Sequence, residues 1–113
     1  MSTACPPTEL LDVLGNKYSA EILCATRTPS SAQELSDDLG IPIATCYRRI
    51  DELLDVGLLK HEGDEFSGQG RRTGVYRRTI DRITIEFDGD APGYSIEERS
   101  EAKNRLHDSR VGR

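Results

Sequence analysis

The chain has 113 residues, of which 31% are charged, and its formal net charge is −5. This length suits one modest domain with short tails, and no apolar run is long enough to span a membrane. No basic-then-apolar leader opens the chain, so we expect a cytoplasmic protein. Three scattered cysteines, none in a CxxC pair, argue against a disulfide framework.

The first part of the chain predicts a tail and two helices. Residues 1–7 end in two prolines and are predicted to be disordered. A helix is expected from Thr8 to about Gly15, and a second helix from Lys17 to about Arg27.

A capping signal opens the next helix. Either Ser30 or Ser31 can cap it, because Gln33 or Glu34 follows three residues later in a capping-box spacing. Gly40 then supplies the backbone freedom that ends a helix.

A longer helix, about residues 42–56, follows the turn. Pro42 lacks an amide proton and therefore suits its first turn. One side of this helix is apolar, and the other carries polar, aromatic and arginine side chains. A short helix, a turn with glycine and a second helix of this kind predict a helix-turn-helix, whose second helix enters the DNA major groove.

Strand patterns follow Gly57. Two predicted strands flank a glycine-rich loop, which indicates a β-hairpin wing over about residues 59–78 with Arg71 and Arg72 at its tip. Four arginines and no acids lie between Phe66 and Ile80. A basic loop of this kind on an acidic body can still meet phosphate.

The carboxyl-terminal part predicts one strand and one helix. Residues 79–87 alternate as a strand does. Ser95 and Glu98 have capping-box spacing, which predicts a helix to about Leu106. We therefore expect a DNA-binding domain over residues 8–90, and a helix and tail over 91–113 as a candidate dimerisation element.

The stretch LSDDLGIPIATCYRRIDELLDVGLL resembles the winged helix-turn-helix of ArsR-type transcriptional regulators, particularly the small haloarchaeal ones. The resemblance covers roughly residues 8–88 and implies a mainly α fold with a small antiparallel β-wing. Twelve arginines against three lysines, on an acid-rich chain, also resemble salt-in halophiles. The matching residues are Leu39, Gly40, Thr45, Arg48, Arg49, Ile50, Leu53, Gly57, Leu58 and Leu59.

Two positions depart from the pattern of that family. Ile43 stands where a polar base-reading residue is common, and Cys46 stands where valine is common. ArsR-like metal sensors typically carry paired cysteines in the first helix of the motif, where this chain reads SAQELSDDL. We therefore expect no metal, and we interpret Cys46 as a small buried hydrophobe, with a redox or metal sensor as the alternative.

Arginines and hydroxyl groups supply the polar DNA-binding candidates. Arginine pairs bidentately with guanine edges or phosphate, and a hydroxyl group can donate to phosphate. The alternative for the helix arginines is ion pairing with neighbouring acids, and for Tyr47 a partly buried position. These candidates are Thr45, Tyr47, Arg48, Arg49, Arg71, Arg72 and Arg77.

Two apolar residues complete the candidate site. Ile43 and Ala44 can contact thymine methyl groups in the major groove. The alternative for Ile43 is that it fastens the turn to the core.

No catalytic signature is present, since SGQGRRTG lacks the strand and helix that a phosphate-binding loop needs. We therefore expect neither an enzyme nor a cofactor. The sequence predicts a DNA-binding transcriptional regulator, as a homodimer with recognition helices about 34 Å apart on double-stranded DNA. The alternative is a winged-helix module that binds protein and not DNA.

Overall fold

A computed structural model describes residues 5–66 and 72–100. The chain divides between Arg78 and Thr79 into two compact units, whereas the sequence pattern predicts one domain over residues 8–90. Among the described residues, the first unit holds four helices and a three-stranded sheet, and the second holds a two-stranded sheet. No helix in these ranges is long and apolar enough to cross a membrane.

Two short helices open the first unit, α1 over Pro7–Leu14 and α2 over Ser19–Ala25. α1 begins one residue before the predicted start at Thr8, because proline fits the first helical position. Its N-cap is Pro6, and no side chain caps it. Tyr18 has a left-handed φ of 79° and forms the N-cap of α2, which delays the start of α2 beyond the predicted residue 17.

Helix α3, Ala32–Leu39, has the capping box that the sequence predicts. The hydroxyl of Ser31 accepts a hydrogen bond from the Glu34 amide at 3.1 Å, and the Glu34 carboxylate accepts one from the Ser31 amide at 2.8 Å. Of the two predicted caps, Ser31 is therefore the one used. Gly40 follows with a φ of 69° and ends the helix.

Helix α4, Ile43–Asp55, lies within the predicted range of 42–56. Its end satisfies two otherwise unpaired carbonyls. The Gly57 amide donates to Leu54 at 3.0 Å, and the Leu58 amide donates to Leu53 at 2.9 Å. Gly57 has a φ of 83°, which glycine adopts without steric cost. The chain therefore turns from α4 directly into the wing.

The sheet of the first unit is antiparallel and has β3, Arg72–Arg78, at its centre. On one side lies β2, Leu59–Phe66, and these two strands form the predicted wing hairpin. On the other side lies β1, Ser30–Ser31, which the sequence pattern does not predict because it has only two residues. Pairing between β2 and β3 shifts after His61, which marks a bulge.

The core of the first unit lies between the helices and this sheet. α4 contributes residues from one face, and the strand that follows contributes the two leucines after Gly57. Burial of this apolar surface is the main stabilising contribution to the fold. The buried apolar residues are Leu10, Ile22, Leu23, Ala32, Leu35, Ile41, Cys46, Ile50, Leu53, Leu58, Leu59 and Val75.

The second unit contains β4, Ile80–Glu86, paired antiparallel with β5, Gly93–Glu98. β4 confirms the strand predicted at 79–87. The helix predicted to begin at Ser95 is wrong for residues 95–98, which belong to β5. The physical reason is cross-strand pairing: Ile96 lies opposite Ile83, and this long-range contact outweighs the local capping signal. The rest of the predicted helix, after residue 100, lies outside the described residues.

Candidate nucleic-acid interface

The two faces of α4 differ sharply in exposure. Cys46, Ile50 and Leu53 are at most 1% exposed and fix the helix to the core. Ile43, which is 39% exposed, and Tyr47, which is 51% exposed, lie beside this buried face. These two residues are one helical turn apart, so they lie along one ridge. The amino-terminal half of α4 therefore presents a mixed apolar and aromatic surface.

Two further residues extend this surface in a second ridge. Ala44 and Arg48 are both exposed and are four residues apart. Thr45 is half-buried at the side. We call the surface made of Ile43, Ala44, Tyr47 and Arg48 the α4 face. It brings together four of the residues that the sequence predicts for DNA contact.

The turn before α4 is held by hydrogen bonds from α3. The Ile41 amide donates to the Ser36 carbonyl at 3.1 Å, and the Ser36 hydroxyl donates to the Ile41 carbonyl. The Cys46 thiol donates to the Ala32 carbonyl at 3.5 Å. α3 and the turn therefore fix the position and direction of α4, as a helix-turn-helix requires.

Arg48 and Arg49 are adjacent in sequence but differ in environment. Arg48 is exposed, and its side chain makes no hydrogen bond or ion pair with the residues that the structure describes. The Arg49 side chain is only 15% exposed. Its Nε donates to the Lys17 carbonyl at 2.9 Å, and its Nη1 donates to both carboxylate oxygens of Glu52 at 2.9 and 3.0 Å.

Glu52 links this arrangement to the loop between α1 and α2. Asn16 Nδ2 donates to Glu52 Oε1 at 2.9 Å. Arg49, Glu52, Asn16 and the Lys17 carbonyl thus form one network that ties α4 to the loop before α2, and we call it the Arg49 network. Arg49 therefore follows the alternative interpretation, in which a helix arginine pairs with a neighbouring acid. Arg48 has no such partner among the described residues and is accessible to a ligand.

The wing arginines are not equally available. Arg77 Nε donates to the Arg27 carbonyl at 3.2 Å, and its Nη1 lies 3.5 Å from Glu62 Oε2. Its side chain is 16% exposed. Arg78 Nη1 donates to the Leu23 carbonyl at 3.3 Å. The predicted contact at Arg71 lies outside the described residues, as does the side chain of Arg72.

The base of the wing carries a polar cluster that the sequence pattern does not reveal. His61 Nε2 lies 3.2 Å from Asp64 Oδ1, and the His61 and Tyr76 rings are 5.6 Å apart. Burial raises the pKa of the Tyr76 hydroxyl, and Tyr47 and Asp51 on α4 raise it further. The Tyr76 hydroxyl therefore stays protonated near neutral pH.

Cys46 is a core residue, as the sequence predicts. It is fully buried, and burial raises the pKa of its thiol. A protonated thiol is neither a good nucleophile nor a good metal ligand. In residues 5–66 and 72–100, no group of three or more His, Cys, Asp or Glu side chains is placed to hold a metal ion.

The helix-turn-helix, its exposed second helix and the antiparallel hairpin together define a winged helix-turn-helix protein. The family model described as "Helix-turn-helix domain" matches residues 6–62, and the chain belongs to that family. No curated protein matches the chain significantly. The family match supports a role in DNA binding and transcription regulation.

Proposed function

We propose that this protein is a sequence-specific, DNA-binding transcriptional regulator of the ArsR-like type from a halophilic archaeon. It acts in the cytoplasm as a homodimer on an inverted repeat. The amino-terminal half of α4 enters the major groove, and the wing contacts the minor groove or phosphate. The observation that carries the proposal is the α4 face, an exposed helix surface with an arginine that no described residue engages.

Each residue of the α4 face is suited to a different kind of DNA contact. Arg48 has the planar donor fork that fits guanine O6 and N7, or a phosphate. Ile43 and Ala44 offer apolar surface to thymine methyl groups. Tyr47 and Thr45 carry hydroxyl groups that can donate to phosphate.

Arg49 and Arg77 are not proposed as direct DNA contacts. Both were candidates for direct contact from the sequence, and both have their guanidinium groups engaged within the protein. We propose that Arg49 orients α4 and does not read bases. Arg71 and Arg72 remain the proposed cationic contacts of the wing.

A protein-binding module is the second candidate function. The net charge of −5 opposes the approach of a polyanion, and Asp51 is exposed on α4 one turn after Tyr47. Exposed tyrosine is also enriched at protein interfaces. The two candidate functions predict different effects of removing Arg48. A DNA-binding regulator should lose affinity for DNA, whereas a protein-binding module should keep its affinity for the partner protein.

Selection of binding sites from sheared genomic DNA in molar KCl tests the proposal. The wild type is compared with Arg48→Ala and with a matched control, Arg27→Ala, which removes an exposed arginine just after α2. Enrichment of an inverted repeat by the wild type and the control, but not by Arg48→Ala, is the expected result. Loss of an arginine–guanine pair should cost about 1–3 kcal/mol. Absence of enrichment at any salt concentration would favour the protein-binding module.

A further inference from the structure

The two faces of the second unit have different chemistry. Ile83 lies opposite Ile96, and Ile85 lies opposite Tyr94, so these four side chains share one face of the β4–β5 sheet. The other face carries Arg82 opposite Glu97, and Thr84 opposite Ser95. Ile96 is 39% exposed, and Phe87, just after β4, is 74% exposed. A two-stranded sheet with an apolar face is marginal by itself.

One edge of β4 has no strand partner among the residues that the structure describes. β4 pairs with β5 on its other edge, and this is the whole of the second sheet in the described part of the chain. From Arg82 to Glu86 the edge has no proline or glycine, and its register is regular after the shift between Ile80 and Arg82. Proteins usually protect such an edge, because it readily pairs with another strand.

We infer that the β4 edge pairs antiparallel with β4 of a second copy of this chain, about a two-fold axis at Thr84. In that register Arg82 of each copy lies opposite Glu86 of the other, which forms two pairs of opposite charge. The two Thr84 side chains lie opposite each other, a favourable cross-strand pair. Ile83 lies opposite Ile85, so the apolar faces of both sheets join into one.

This charge pattern distinguishes β4 from β5. Two-fold pairing of β5 about Ile96 would place Tyr94 opposite Glu98 and Ser95 opposite Glu97, and it forms no pair of opposite charges. A β4 register centred on Ile85 would place Arg82 opposite Asp88, which lies beyond the end of the strand. Pairing about Thr84 keeps both charged partners within the strand.

Arg82 can serve both its own chain and the second copy. Its Nε lies 3.3 Å from Glu97 Oε1, and its side chain is 70% exposed. A guanidinium group has five donors, so several remain for Glu86 of the second copy. The inference deepens the proposed function, since it rests on that function's homodimer and names its surface.

Cysteine cross-linking tests the register. The starting variant carries Cys5→Ser and Cys24→Ser and keeps the buried Cys46. Thr84→Cys is added in one variant, and Ser95→Cys is added as the matched control, because Ser95 lies on the same exposed face but on β5. Directly opposite residues have Cα atoms about 4.5–5.5 Å apart, within disulfide range. The two residues 95 would be separated by three strand spacings, or about 14 Å.

Oxidation with copper–phenanthroline should therefore give a covalent dimer for the Thr84→Cys variant and little for the control. Equal cross-linking in both variants, or none in the Thr84→Cys variant, would overturn the inference. Sedimentation equilibrium supplies a second test. Arg82→Glu or Glu86→Arg should each raise the dimer dissociation constant about tenfold, because like charges then lie opposite each other twice. The combined exchange should return it to within about threefold.

If the variant with both exchanges keeps a raised dissociation constant, that result would also contradict this pairing.

The outcomes of these experiments separate the inference from the proposed function. Selection of an inverted repeat without cross-linking at residue 84 would retain the DNA-binding regulator and reject the β4 interface. A dimer cross-linked at residue 84 that selects no DNA would retain the interface and reject the regulator.

Discussion

The contrast between Arg48 and Arg49 leads to a paired prediction. Truncating Arg49 to alanine removes two hydrogen bonds to the Glu52 carboxylate and one to the Lys17 carbonyl. Hydrogen bonds to charged groups contribute about 1.5–3 kcal/mol when buried. The Glu52 side chain is 30% exposed, so solvent reduces this contribution. We expect Arg49→Ala to lower the free energy of unfolding by about 1–2 kcal/mol.

Arg48→Ala should have little effect on the same quantity. Arg48 is exposed and has no partner among the described residues, so the change should stay within about 0.5 kcal/mol. Urea unfolding followed by circular dichroism measures both variants. DNA affinity should respond in the opposite order, with a loss of about 1–3 kcal/mol for Arg48→Ala.

The result that would refute this reasoning is a reversed pattern. If Arg49→Ala folds as stably as wild type and loses more DNA affinity than Arg48→Ala, then Arg49 contacts DNA directly. Arg49→Lys is a useful third variant. Lysine can keep one charged contact to Glu52, but it cannot donate to Glu52 and to the Lys17 carbonyl in the way that the guanidinium group does. We therefore expect Arg49→Lys to be more stable than Arg49→Ala and less stable than the wild type.

Three further predictions concern the scaffold. Ser31→Ala should destabilise the protein by about 0.5–2 kcal/mol, because it removes the capping box, whereas Ser30→Ala should cost less in the same urea titration. Leu53→Ala should cost about 2–5 kcal/mol, because Leu53 is fully buried and the change leaves a cavity; a loss below 1 kcal/mol would contradict that packing. The pKa of the Cys46 thiol is raised by burial, so at pH 8 a maleimide should label the exposed Cys24 well before Cys46; equal labelling rates in the folded protein would contradict the assignment.

Local signals explain why the helix-turn-helix could be predicted from sequence. Ser31 with Glu34, Gly40, Pro42 and Gly57 each act within a few residues, and the structure uses each of them at a helix boundary. The hydrophobic period of α4 likewise defines its buried face without reference to the rest of the chain.

Contacts between distant segments explain what could not be predicted. Arg48 and Arg49 look alike in sequence, and their difference depends on Lys17, 32 residues away from Arg49. Residues 95–98 carry a capping-box spacing, but β4 supplies a partner strand that converts them into β5. A local sequence pattern cannot reveal such a partner. The different roles of Arg48 and Arg49 therefore become visible only when the loop before α2 is seen beside α4.

The salt dependence of DNA affinity measures how many cationic side chains of the protein contact phosphate. With Arg49 and Arg77 engaged internally, each protomer offers Arg48, Arg71 and Arg72 under the proposed function, or six cations per dimer. If all six neutralise phosphates, the slope of log K against log salt should be about −5, whereas ten cations would give about −9. Arg48→Ala should make the slope less steep by about 2 if Arg48 contacts phosphate, and should leave it unchanged if Arg48 reads a guanine. A wild-type slope near −9, measured by fluorescence anisotropy over a range of KCl concentrations, would show that the internally bonded arginines are released on binding.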